Sequence, residues 1–139
     1  MDLYADNILD HFRSPRGKQS VSQPSVTHEE KNLSCGDGVK LSLKIEDDKI
    51  TEIGWDGTGC AISQAAMSML SEELIGKTLT EIRAISPQYM LDILGVPIGP
   101  RRMKCAMLGL HTVKNALHDL RGESQQTWQE TMDSPTMPT

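Results

Sequence analysis

The spacing of apolar residues changes near residue 60, and that change limits the folds that the chain can adopt. Apolar and polar residues alternate over 39–46, which is typical of a strand with one buried face. A turn at Asp47-Asp48 and a second run over 50–55 then predict an antiparallel hairpin. After Cys60 the apolar residues recur at helical spacing as far as Gly76. Strands followed by helices predict an α+β fold.

Other segments add elements on both sides of this hairpin. Helical spacing over 3–13 predicts a first helix, and a weak pattern over 25–33 allows an edge strand that would make the sheet three-stranded. Three more helices are predicted from signals at their N-termini. These signals are a capping box at Thr78–Glu81, a serine before proline at Ser86-Pro87 and a Gly-Pro pair at Gly99-Pro100. We therefore expect a two-layer sandwich in which a small three-stranded antiparallel sheet is covered on one face by several helices.

The last predicted helix ends at Gly122, and the residues that follow are polar and lack periodicity. This predicts one domain over 1–122 and a disordered C-terminal tail over 123–139.

Charge and composition exclude several function classes. The net charge of −5 disfavours nucleic acid as a partner. No apolar run is long enough to cross a membrane, and the N-terminus lacks the features of a signal peptide, so we expect a cytoplasmic protein. Thiols stay reduced in the cytoplasm, and therefore the three cysteines indicate metal or sulfur chemistry rather than disulfides.

The cysteines fall where predicted elements begin or end. Cys35 lies in a glycine-containing turn, Cys60 at the start of a helix, and Cys105 in the first turns of the last helix. Asp37 is close enough to Cys35 in sequence to point its carboxylate at the same ion. Three thiolates and one carboxylate suit Zn²⁺ or iron. The spacing alone supports a shared metal site and three unconnected core cysteines about equally.

The last helix carries other polar side chains near its apolar stripe. A helical wheel places Cys105 roughly 140° from Leu110, away from that stripe. The nearby cations Arg102 and Lys104 are predicted to stabilise the thiolate or to contact a partner. Two further histidines on this helix, His111 and His118, are expected at a solvated edge rather than as ligands.

Three segments, one around each cysteine, resemble the motifs of the SufU/IscU/NifU N-terminal family: Asn32–Asp37, Gly57–Ser63 and Arg102–Ala106. The opening helix and the Ser14-Pro15-Arg16 stop are also similar, and the match spans residues 1–121 in order. The resemblance implies a SufE/IscU-like sandwich. It also implies that zinc, iron or a transient [2Fe–2S] cluster is held by Cys35, Asp37, Cys60 and Cys105.

Within that family the sequence is most similar to SufU. Lys104 occupies the position where IscU-type proteins have a histidine, and Val96–Pro100 replaces their Leu-Pro-Pro-Val-Lys motif. However, the insertion that SufU proteins carry between the second and third cysteines is missing. A SufU-type protein would accept persulfide sulfur on Cys35, and an IscU-type protein on Cys105. The implied partners are a SufS-like or IscS-like cysteine desulfurase and apo iron–sulfur acceptor proteins, with no catalytic activity of the chain's own.

Two other functions compete with this hypothesis. One is a structural zinc domain that mediates interactions and transfers no sulfur. The other is an enzyme with a cysteine nucleophile and a histidine base, but no histidine lies in a recognisable catalytic context.

Overall fold

The computed structural model describes residues 6–32 and 36–133. In chain order, these residues form the secondary-structure elements α1 (Asp6–Arg13), β1 (Val26–Asn32), β2 (Asp37–Glu46), β3 (Lys49–Thr58), α2 (Ala61–Leu74), α3 (Leu79–Arg83), α4 (Pro87–Leu94), a 3₁₀ turn (Pro100–Arg102), α5 (Met103–Arg121) and α6 (Trp128–Met132). The strands form an antiparallel sheet in the order β1-β2-β3. The predicted α+β class and three-stranded sheet are therefore confirmed.

One face of the sheet carries the apolar residues that alternate along β2. Leu41 pairs with Trp55 and Leu43 with Ile53, and all four side chains are buried. Helix α5 packs against β1 and β2, while α2 packs against both α5 and β3. The helices therefore cover this face of the sheet and enclose the core.

The predicted helix boundaries have the expected caps. Thr78 and Glu81 form a reciprocal capping box at α3, and the Ser86 hydroxyl accepts a hydrogen bond from the Tyr89 N–H at the start of α4. Helices α4 and α5 end at Gly95 and Gly122, both with positive φ, a conformation that glycine adopts without steric cost.

The segment that follows Gly122 differs from the expected disordered tail. Residues 128–132 form α6, whose first turn is closed by a capping box between Thr127 and Glu130. Thr131 is 0% exposed, and Trp128 stacks on His111 with ring centroids 4.1 Å apart. A one-turn helix is too short to show periodicity, and its docking depends on tertiary contacts, so the sequence pattern could not reveal it.

His111 likewise departs from the expected solvated edge. Its side chain is 3% exposed, and Nδ1 lies 2.6 Å from the hydroxyl oxygen of Thr131. The reason is that α5 is buried on all sides from Cys105 to Leu117, since α6 covers a face that the apolar stripe alone leaves open.

Within the described ranges, no helix combines the length and hydropathy needed to span a membrane.

Candidate metal centre

Asp37 begins β2 and pairs across the sheet with Asn32, the last residue of β1. The turn between the two strands includes Gly36 at φ +76°, a conformation that favours glycine. The Asp37 side chain is only 4% exposed. A buried carboxylate requires compensating donors or a bound cation, and the backbone N–H of Cys60 supplies one such donor.

Cys60 is the N-cap residue of α2 and has extended backbone angles. Its thiol caps no backbone N–H, so the sulfur remains available for another role. Its own N–H instead donates a 3.3 Å hydrogen bond to Oδ1 of Asp37. The prediction that Cys60 lies at a strand-to-helix junction is confirmed, because β3 ends at Thr58 and α2 begins at Ala61.

Gly59 makes room for this contact. A Cβ on Gly59 would lie 2.6 Å from Oδ1 of Asp37 and 2.5 Å from the hydroxyl oxygen of Ser63. Its φ of +153° is also unfavourable for residues other than glycine. The absence of a side chain at Gly59 therefore admits the carboxylate of Asp37.

Cys105 reaches the same place from α5. It is the third residue of that helix, which the Pro100–Arg102 turn leads into, and it is 6% exposed. Its sulfur, the Cys60 sulfur and an Asp37 oxygen all lie within 4.8 Å of one another. The wheel placed Cys105 away from the apolar stripe, and the structure accounts for this by turning the thiol towards two other potential ligands.

The chemistry and spacing of these donors suit a tetrahedral ion. Zn–S and Zn–O distances of about 2.3 and 2.1 Å place adjacent ligand atoms roughly 3.6–3.8 Å apart. Cys60 Sγ and Asp37 Oδ2 are 3.9 Å apart, so little movement would be needed to bind zinc or iron. Two soft thiolates with a carboxylate favour these metals over Mg²⁺ or Ca²⁺.

The other residues that the sequence singled out contribute differently. Cys35 lies outside the described residues. Arg102 is half-buried at the start of α5, whereas Lys104 is exposed and its ammonium lies 5.6 Å from the centroid of the Trp128 ring. Lys104 therefore interacts with α6.

Sequence reasoning missed Ser63 at this site. The Ser63 hydroxyl donates a 3.1 Å hydrogen bond to the carbonyl oxygen of Cys60 and so helps to close the first turn of α2. A serine three residues after the N-cap position was the available signal.

Comparisons with known proteins find matches over most of the chain. The family model described as "NifU-like N terminal domain" matches residues 3–127. The chain is 32% identical to the iron-sulfur cluster assembly scaffold protein IscU of Thermotoga maritima over 134 residues, covering 83% of this chain and 92% of that one. It is 30% identical to the zinc-dependent sulfurtransferase SufU of Bacillus subtilis over 123 residues, covering 76% of this chain and 83% of that one.

A solved structure has a similar fold. FiSufU from Fervidobacterium islandicum AW-1, described as an iron-sulfur cluster assembly scaffold protein for the SUF system, superposes with a TM-score of 0.74. The two sequences are 30% identical, and the match covers 83% of this chain and 96% of that one.

Proposed function

Because this chain belongs to the family of NifU-like N-terminal domains, which are iron–sulfur cluster assembly scaffolds, we propose that it accepts persulfide sulfur from a cysteine desulfurase at a metal-binding site. The resemblance predicted from the three cysteine segments is confirmed by this membership. The proposed ligands are Cys35, Asp37, Cys60 and Cys105.

The convergence of three of these ligands is the observation that carries the proposal. Asp37, Cys60 and Cys105 come from β2, the start of α2 and α5, and their ligand atoms lie within 4.8 Å of one another. Two unconnected core cysteines would not be expected to meet a buried carboxylate in this way. Zinc or iron bound there would hold the thiols deprotonated, since thiolate is the form that binds metal.

Cys35 is the proposed fourth ligand and the sulfur acceptor. It precedes Asp37 by two residues, and two residues of chain span at most about 7 Å. The acceptor must also be reached by the persulfide of a second protein. Cys105 is 6% exposed, and its burial favours Cys35 over the IscU-type alternative.

The transfer step is a thiol–disulfide exchange. The deprotonated sulfur of Cys35 attacks the terminal sulfur of the desulfurase persulfide, and a new S–S bond forms on Cys35. The S–S bond on the desulfurase breaks, and its cysteine leaves as a thiolate that takes up a proton. One sulfur atom moves without an external oxidant or reductant, so the chain acts as an acceptor and not as an enzyme by itself.

Lys104 supports a SufU-type route with zinc rather than assembly of a [2Fe–2S] cluster as cargo. A lysine ammonium has three donors and no lone pair, so it cannot replace the histidine of IscU-type proteins as a ligand. We propose that Arg102 and Lys104 instead contact a SufS-like or IscS-like desulfurase. The sulfur would then pass to apo iron–sulfur proteins in the reducing cytoplasm.

A desulfurase assay tests this function. With free cysteine as substrate, adding the full chain should raise alanine production by a SufS-like enzyme, and mass spectrometry should find one extra sulfur on Cys35. Cys35→Ala should abolish both effects, whereas His118→Ala, which lies outside the metal centre, should leave them unchanged. Tightly bound metal without activation or persulfide, across several desulfurases of this class, would instead support a structural zinc domain.

A further inference from the structure

A cavity separate from the metal centre lies between α3, α5 and the segment that follows α5. Its volume is about 290 Å³. Six residues line it, and these are Arg83, Lys114, Leu117, His118, Glu123 and Gln126. Three of the six are basic, although the whole chain carries a net charge of −5. Arginine, lysine and histidine side chains are therefore concentrated at one place on an acidic protein.

Two of these basic side chains have a nitrogen atom without a hydrogen-bond partner. Nη2 of Arg83 and Nδ1 of His118 are buried and have no hydrogen-bond partner among residues 6–32 and 36–133. Neither residue forms an ion pair within those ranges. Buried polar atoms without partners are costly and uncommon in folded proteins. Both residues line the cavity, so a ligand with hydrogen-bonding oxygens would supply the partners that these nitrogens lack.

Lys114 adds a third donor group at the same cavity. Its side chain is buried, and Nζ donates a 3.1 Å hydrogen bond to the carbonyl oxygen of Arg83. Burial lowers the pKa of Lys114, because removal from water disfavours the ammonium form. An anion in the cavity would counteract this effect, so Lys114 gains from an anionic neighbour.

We propose that this cavity binds a small oxyanion, a phosphate, sulfate or carboxylate group, through Arg83, Lys114 and His118. The Arg83 guanidinium can present two N–H groups to two oxygens, and the Lys114 ammonium supplies a compact positive charge. Nδ1 of His118 can donate a further hydrogen bond when it carries the ring proton. Leu117 provides an apolar wall for the body of an organic anion.

The Glu123 carboxylate is expected to weaken the binding of an anion at this site. It also lines the cavity, but the residue is exposed, and its repulsion of an anion is therefore screened by solvent and salt. Removing its charge with Glu123→Gln should tighten anion binding. If Glu123 itself were the counter-ion of the basic residues, the same substitution would destabilise the protein and leave anion binding weak.

An NMR titration of the full ¹⁵N-labelled chain tests the proposal. Phosphate, sulfate and acetate are added separately at constant ionic strength, with chloride as the balancing ion, because phosphate and sulfate also stabilise proteins non-specifically. We expect saturable shifts that are confined to residues around the cavity. Arg83→Gln and Lys114→Met should each weaken binding about tenfold or more, since each removes a charge-assisted hydrogen bond.

Arg121→Gln is the matched control, because it removes a positive charge from an exposed position on α5 that does not line the cavity. Its binding should equal that of the natural sequence. The proposal would be overturned if none of the three anions gave saturable shifts. It would also be overturned if Arg83→Gln and Lys114→Met bound the anion as tightly as the natural sequence. A third contradicting result would be a Glu123→Gln variant that is less stable and still binds the anion weakly.

Discussion

The backbone N–H of Cys60 donates a 3.3 Å hydrogen bond to Oδ1 of Asp37, and the Cys60 sulfur lies 3.9 Å from Oδ2 of the same carboxylate. One residue begins a strand and the other caps a helix, so the contact joins the sheet to the helical layer. The carboxylate is thus positioned by the backbone, and two of the proposed ligands are held together by the fold itself.

This contact depends on the missing side chain at Gly59. In Gly59→Ala the new methyl group would lie 2.6 Å from Oδ1 of Asp37, and the backbone angle would be strained. We expect the carboxylate to be displaced, so that zinc is released more slowly because the site loses its most exchangeable ligand, and the free energy of unfolding to fall by about 1–3 kcal/mol. Zinc transfer to a chromophoric chelator and chemical denaturation measure the two effects.

Gly99→Ala is the control for that substitution. A Cβ at Gly99 would meet no atom within 4 Å. Zinc release and stability should change little in this variant. Equal rates of zinc release from Gly59→Ala and the natural sequence would contradict the role given to the Asp37 carboxylate.

Replacing Asp37 should change the rate of metal exchange more than the amount of metal bound. A carboxylate oxygen is the harder and more exchangeable ligand among thiolates. In Asp37→Ala we expect the metal to be retained by the three cysteines and released to a chelator severalfold more slowly. Stopped-flow measurement of zinc transfer provides the rate. Unchanged release kinetics would remove Asp37 from the ligand set.

Much of the fold could be predicted because its signals are local. The alternation over 39–46 predicted β2, and the capping box of Thr78 and Glu81 marks the start of α3, since both patterns reflect contacts between near neighbours in sequence. The change of spacing at Cys60 located the junction of sheet and helix. The places of single candidate ligands within the elements could therefore be predicted from the sequence.

Contacts between residues that are far apart in sequence could not be predicted in the same way. Asp37 and Cys60 are separated by 23 positions, and no local pattern states that they meet. The resemblance to a known family supplied that information. The docking of α6 could not be predicted either, because it depends on the polar contact of Thr131 with His111 and on the stacking of Trp128.

The docking of α6 can be tested through Trp128, which stacks on His111 and lies beneath the ammonium of Lys104. Stacked aromatic pairs contribute about 0.5–1.5 kcal/mol beyond the area that they bury. Trp128→Ala should therefore lower the free energy of unfolding by at least that amount, and Trp128→Phe should recover part of the loss. Equal stability of Trp128→Ala and the natural sequence would show that α6 contributes nothing to the fold.

His111 should make stability depend on pH. Burial lowers its pKa, the nearby Glu30 carboxylate offsets part of that effect, and His28 adds to it. As pH falls through about 6.5 the unfolded chain takes up a proton at His111, whereas the folded chain does so only at lower pH. The free energy of unfolding should consequently fall below about pH 6.5, by at most about 1.4 kcal/mol per pH unit.

Comparison with His111→Gln isolates this contribution. Protonation of the metal ligands and of His11, whose pKa is also lowered by burial, affects both proteins alike and cancels in the difference. Denaturation curves at about pH 7.5 and 5.5 should show a smaller loss of stability for the variant. Parallel losses in the two proteins would contradict the effect of burial on His111.

The most direct test of the metal centre is the metal and acid-labile sulfide content of the full chain purified without oxygen. We predict about one zinc or iron per chain, bound at a four-ligand site, with sulfide present only if the occupant is a cluster. Cys60→Ser and Cys105→Ser should each lose that metal, whereas His118→Ala should keep it. Stoichiometric metal in a variant with Cys35, Cys60 and Cys105 all replaced by serine would contradict the site.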